Sequence, residues 1–213
     1  SQQLKEAFSF LSELKENNNR EWFNEHKPRF ETHKNFIKSV FEEVQTKMES
    51  YDEIEKLKIF RIYRDVRFSK DKTPFKTHFS CSVVRRGRER RGGYYLHLEP
   101  NNSFMACGFW NPSKEDLLRI RQEIAADPDE FKEVVSHSTL HKFWGKLQGD
   151  ALKKAPKGFS LEQKGIEFIR FKQFIFIKKL ELKQVFVCFT TLFVVGLLLA
   201  PFSTSFECDK YTD

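Results

Sequence analysis

Cysteine is scarce in this chain and poorly spaced for metal work. Cys81, Cys107, Cys188 and Cys208 include no C-x-x-C pair, so no zinc site is expected and reduced thiols are the default. Ser1 to Leu14 is charged and amphipathic, without the apolar stretch of a secretory leader, and a cytoplasmic protein is expected. There is no Walker loop, no GxGxxG, no GxSxG and no HExxH, so nothing points to a P-loop nucleotide site, a dinucleotide fold, a hydrolase elbow or a metalloprotease helix. Internal repeats and low-complexity linkers are lacking too. Long uncharged runs are missing except at the end, where Val185 to Phe202 carries no charge over 18 residues.

The 213 residues suffice for one substantial core. Apolar residues make up 39% and charged residues 31%, as in a globular protein rich in charge, and the 24 phenylalanines carry much of the interior. The net charge of +7 is unevenly placed. Between Lys56 and Arg91 stand thirteen Lys and Arg against Asp65, Asp71 and Glu89, so the rest of the chain is net negative. A localised excess favours an anion site over a generally basic surface, although a solvated face is the plainer reading.

Periodicity predicts helices over Leu4–Lys15, with Phe8 on the apolar face, and from Pro28 to about Glu49, with a short turn at Arg20–Glu25 between them. Strands are predicted at Lys58–Phe68, Phe79–Val84, Tyr94–Glu99 and Phe104–Trp110. In the first, Phe60, Ile62, Val66 and Phe68 face one way, and Arg61, Tyr63, Asp65 and Arg67 the other. Helices return at Lys114–Ala126 behind Ser113, at Pro128 to about Val135, at His141–Leu147 and at Leu161–Lys172. The expectation is one α+β domain over residues 1–180, an antiparallel sheet of about four strands packed against helices, followed by an apolar segment over 181–213.

The run from Lys58 to His78 gathers three arginines, three further lysines, two aspartates and a histidine around one turn. Arg61 and Arg67 can grip a phosphate or carboxylate through two parallel hydrogen bonds, while Ser69, Lys70, Lys72 and Lys76 add a hydroxyl and point charges. The competing reading has Asp65 and Asp71 neutralising the arginines and holding the turn. Arg64 falls on the apolar face and needs a partner there, with Glu55 and Asp65 in reach, or else lines a cavity. His78 and His97 are the candidate acid–base groups, because histidine titrates near neutrality. His97 shares a strand face with Tyr95 and Glu99, and pairing of the second and third strands brings His78 close. Metal binding by His78, His97 and Glu99 is conceivable, but no motif spacing supports it, and neither a metal nor another cofactor is expected. Tyr95 or Trp110 would supply an apolar wall.

Four stretches carry a resemblance: Asn17–Pro28, Phe60–Lys76, Gly93–Pro100 and Gly108–Pro112. Together they resemble the family catalogued as domain of unknown function 2461, found in bacteria, fungi and plants, over about Phe8 to Phe176. The resemblance implies a compact α+β domain and a cytoplasmic protein, and it implies no reaction. Val185–Phe202 departs from it. That run has the length of a membrane span and is flanked by Lys178, Lys179 and Lys183 before and Asp209 and Asp213 after. Thr190, Thr191, Gly196 and Pro201 interrupt it, and a buried element is the expectation over a tail anchor. The leading functional expectation is binding of a phosphate-bearing or other anionic small molecule at the basic strand and turn. The alternatives are a nucleic-acid module using the loop 85–91 with Tyr94 and Tyr95, and a tail-anchored scaffold.

Overall fold

A computed structural model describes residues 1–87 and 92–181 of the chain. Among them are seven helices and an antiparallel sheet of five strands that hydrogen-bond in sequence order: β1 (Ile54–Ile59), β2 (Phe79–Arg85), β3 (Gly93–Leu98), β4 (Phe104–Phe109) and β5 (Phe174–Lys179). The class is the expected α+β, with one strand more than anticipated. The described residues group into two compact units. The first holds Ser1–Arg86, Tyr95–Met105 and residues 179–181, and the second holds Ala106–Lys178 with residues 87 and 92–94.

In the first unit, α1 (Gln2–Glu16) buries Leu4, Ala7, Phe10, Leu11 and Leu14 at three- and four-residue steps. Phe10 completes this stripe; Phe8, expected on it, is only half-buried. The Asn19 side chain accepts from the Trp22 amide at 2.9 Å and starts α2 (Arg20–Glu25). Pro28 lies in the first turn of α3 (Lys27–Met48), where its missing N–H costs nothing. Helix α3 packs on α1, β1 and β2, and its Phe30 ring stacks with Phe79. Alternation along β2 and β3 turns Phe79, Cys81, Val83, Leu96 and Leu98 into this core. The same alternation sends His78, Ser80, Tyr95 and His97 to the opposite face.

The predicted first strand is displaced. The ladder with β2 runs over Ile54–Ile59, in antiparallel register with Ile59 opposite Cys81, and the Phe60 amide still donates to the Ser80 carbonyl. Beyond Phe60 the chain leaves the sheet and doubles back on itself. Tyr63 bridges Phe75, the Arg64 amide donates to the Pro74 carbonyl, and the Lys76 amide donates to the Ile62 carbonyl. Asn18 fixes this excursion from outside: its side chain donates to the Phe75 carbonyl and accepts from the Phe75 amide. The Phe75 ring stacks on Phe23 at 4.0 Å. The alternating pattern therefore marks a local hairpin and not a sheet strand. Ile62 is 5% exposed but Phe68, expected beside it, is 96% exposed.

In the second unit, Ser113 caps α4 (Lys114–Ala126) and Asp127 caps α5 (Pro128–Ser136), each side chain accepting from an amide three residues on. Helix α6 (Ser138–Trp144) follows. The helix predicted over Leu161–Lys172 shrinks to α7 (Ile166–Ile169). Gly165 opens it at φ +80°, with the Pro128 side chain 2.7 Å from where a Cβ would stand. The Arg121 guanidinium closes it by donating to the Ile169 and Phe171 carbonyls. The Val185–Phe202 run lies outside the described residues, and no helix among the described residues is long and apolar enough to cross a membrane.

Candidate functional site

The polar face of the sheet in the first unit carries a connected cluster. Alternation along β3 puts Tyr95, His97 and, one residue past the strand, Glu99 on one side. His78 stands beside His97, with ring centroids 4.0 Å apart, and Phe104 stacks on His97 at 4.6 Å. The His97 ring is thus held between two others. Its Nε2 lies 3.2 Å from Glu99 Oε2, and its Nδ1 lies 3.2 Å from the Tyr95 hydroxyl. Glu99 is fixed in turn: Thr77 Oγ1 donates to Oε1 at 3.1 Å and Asn102 Nδ2 to Oε2 at 2.7 Å. The tight turn that returns to β4 makes this possible, with Asn101 at φ 60° and Ser103 Oγ bonded to both the amide and the carbonyl of Glu99.

Burial and these bonds set the protonation states. Burial pushes His78 down to about 4, helped by the charges of His97 and Lys76 and opposed by Glu99. Burial also lowers His97, outweighing the hydrogen bond to Glu99 that favours the charged ring. For Glu99 burial acts upward, but hydrogen bonds from Asn102, His97 and Thr77 outweigh it and keep the carboxyl below its usual range. Burial raises the Tyr95 hydroxyl. At neutral pH the face therefore holds two neutral imidazoles, one carboxylate and one neutral phenol. An ionised Glu99 makes His97 Nε2 the protonated nitrogen, which leaves Nδ1 to accept from Tyr95.

Cations border the cluster. Phe60 lies against Tyr95, with centroids 6.1 Å apart, and the ammonium groups of Lys58 and Lys76 stand 5.3 and 5.4 Å from the Phe60 centroid. Burial first, and then the charge of Arg61, hold Lys76 below the ordinary lysine range. Among the described residues neither Lys76 nor Arg61 meets a carboxylate in an ion pair.

Of the remaining cations of the turn, Arg64, Arg67 and Lys72 are already engaged. Arg64 is three-quarters buried and pairs with Asp71, also donating to the Thr73 carbonyl and hydroxyl. Its partner is thus Asp71, seven residues on, and not Glu55 or Asp65. Arg67 makes a two-bond fork with Asp65 at 2.9 and 2.7 Å. Lys72 donates to the Val66 carbonyl. Ser69 is half-buried, and Lys70 is exposed in the same turn. Trp110 follows β4 in the second compact unit and is 60% exposed. In the basic loop, residues 88–91 lie outside the described residues. Arg85 is bound to Asp52 at 2.6 Å with both side chains buried, and Tyr94 is buried in the core.

Thr77, Asn102, Phe60 and Lys179, which donates to the Asn102 side chain, belong to the cluster and were not singled out by sequence reasoning. Thr77 had a signal in its place beside His78, and Asn102 in the turn after Glu99. Lys179 had none, because β5 was read as part of no element. No curated relative and no solved structure matches the chain. Residues 6–190 match the family described as conserved hypothetical protein (DUF2461), and with that span covering most of its length the chain belongs to this family.

Proposed function

We propose that the protein binds a small phosphate-bearing or otherwise anionic ligand on the polar sheet face beside His78 and His97. Lys76 carries this reading. It is a half-buried cation with an aromatic ring beneath it, another cation nearby and, among the described residues, no acid to match it. Burying Lys76 beside another cation costs free energy that an incoming anion recovers, even with Asp65 near Arg61. Arg61 and Lys76 hold the charge in this reading, Phe60 and Tyr95 form the wall, and proton transfer is assigned to His97 with His78 beside it. Arg64, Arg67 and Lys72 shape the turn, and Lys70 and Ser69 stand at its rim. A nucleic-acid surface is less well supported, because Arg85 is taken by Asp52 and Tyr94 is buried. A cytoplasmic setting belongs to the same reading, with Cys81 and Cys107 as free thiols.

Calorimetric titration of the full chain with inorganic phosphate and with a simple phosphomonoester tests this. Saturable binding is expected, and Lys76→Ala should weaken it by about 10-fold or more, the worth of a charge-assisted hydrogen bond. Added salt should weaken it far less than the steep loss that tracking a nucleic-acid backbone would produce. No saturable binding of either probe, or binding indifferent to Lys76→Ala, refutes the reading.

A further inference from the structure

We infer that His78, His97 and Glu99 form a binding site for one divalent first-row transition ion, zinc or a near neighbour, with two imidazole nitrogens and one carboxylate oxygen as protein ligands. The candidate ligand atoms of the three residues all lie within 4.8 Å of one another. Donors shared by one tetrahedral ion at ordinary bond lengths lie about 3.3 Å apart. His97 Nε2 and Glu99 Oε2 already stand 3.2 Å apart, so an ion can replace the proton now between them. His78 completes the set, and none of the described residues hydrogen-bonds its ring.

The surroundings are those a metal site needs. The outer donors of such a site normally orient its ligands, and here Thr77 and Asn102 fix Glu99 while the Tyr95 hydroxyl sits on the second nitrogen of His97. With an ion on Nε2, Nδ1 carries the ring hydrogen and donates it to Tyr95. Neutral imidazole is the form in which histidine ligates a metal. His97 sits on β3, and His78 and Glu99 each stand one residue outside β2 and β3. Imidazole donors select zinc, cobalt or nickel over magnesium and calcium, which prefer all-oxygen sets. Three protein ligands leave a position open, and an anion held by Lys76 is a suitable occupant. That last point rests on the anion reading; the metal site itself does not, and an ion on Nε2 replaces the proton-transfer role given to His97 in that reading.

The test is a titration of the chelator-treated full chain with cobalt and zinc in phosphate-free buffer, followed by visible cobalt absorption and calorimetry. One ion per chain is expected, with magnesium failing to compete. Glu99→Gln keeps one acceptor oxygen, for Thr77 or for Asn102 but not both, and should lower zinc affinity at least about 100-fold, since disturbing outer-shell groups alone costs 10- to 100-fold. His78→Ala should do the same, and Tyr95→Phe should cost about 10-fold. Melting curves of each variant identify any that fail to fold, and His78→Ala removes a half-buried ring without disturbing the Glu99 bonds. A folded wild-type chain that binds neither cobalt nor zinc overturns the inference, as does binding unchanged in the folded variants. Phosphate binding is measured separately, so either reading can fail alone.

Discussion

The doubled-back segment from Ile62 to Phe75 and the sheet face beside it both meet charge, and they treat it in opposite ways. In the segment the cations find acids and carbonyls close by in sequence: Arg67 takes Asp65, Arg64 takes Asp71 and Lys72 takes the Val66 carbonyl. Beside the sheet face Lys76 meets no such partner among the described residues and stands next to two imidazoles kept neutral by burial, while Arg61 makes no ion pair but acts on the Asp65 carboxylate. A concentration of positive charge in a sequence is therefore a poor pointer to a site. Under the proposed function the cations left unmatched after folding are the informative ones, because theirs is the demand an anion would meet.

The comparison can be broken most severely at a matched pair that is also buried. Arg85 and Asp52 have side chains only 11% and 8% exposed. Asp52→Ala leaves a guanidinium in a dry setting and should lower stability by about 3–5 kcal/mol in a denaturant titration. A loss below 1 kcal/mol would show that matching contributes little even where water is excluded. The next largest effect is expected at Asn18, whose side chain supplies both hydrogen bonds to the Phe75 backbone. Asn18→Ala should cost about 2 kcal/mol by leaving a part-buried amide and carbonyl unpaired, and should speed amide exchange in residues 62–76 ahead of the sheet. If exchange rises evenly across the chain, the excursion is not held as a separate unit.

A smaller effect is expected from pH. Bonds from the Thr73 amide, the Arg64 guanidinium and the Thr73 hydroxyl lower Asp71 to about 2. A carboxyl depressed in the folded state adds stability above its unfolded value, near 3.8, and loses it as pH falls towards the folded value. The turn should therefore hold from neutrality down to about pH 4 and loosen towards pH 2. Amide exchange at Arg64 and Thr73 reports this, and Asp71→Asn should abolish the dependence. Exchange there that is flat between pH 4 and 2 would contradict the pairing.

Much of this was legible from local pattern. The caps at Asn19, Ser113 and Asp127 are side-chain chemistry acting over three residues, and the grouping of Tyr95, His97 and Glu99 follows from strand alternation alone. What escaped depends on distant partners. Ile54–Ile59 lacks clean alternation and became a strand through β2, whereas Phe60–Phe68 alternates but is captured by its own turn and by Asn18, 57 residues from Phe75. The site was half visible for the same reason. Its histidines and Glu99 were singled out, but Lys179 reaches Asn102 from 77 residues away through an unforeseen strand. The pairing of Arg64 with Asp71 needed the turn geometry, which spacing does not supply.

The central claim is tested most directly by measuring phosphate binding in two double variants side by side, Arg61→Ala with Lys76→Ala and Arg64→Ala with Arg67→Ala, each checked for folding by its melting curve. The unmatched pair should lose binding without losing stability, and the matched pair should lose stability while its folded fraction binds like wild type. The reverse, with affinity vanishing only when the paired arginines are removed, would contradict the account.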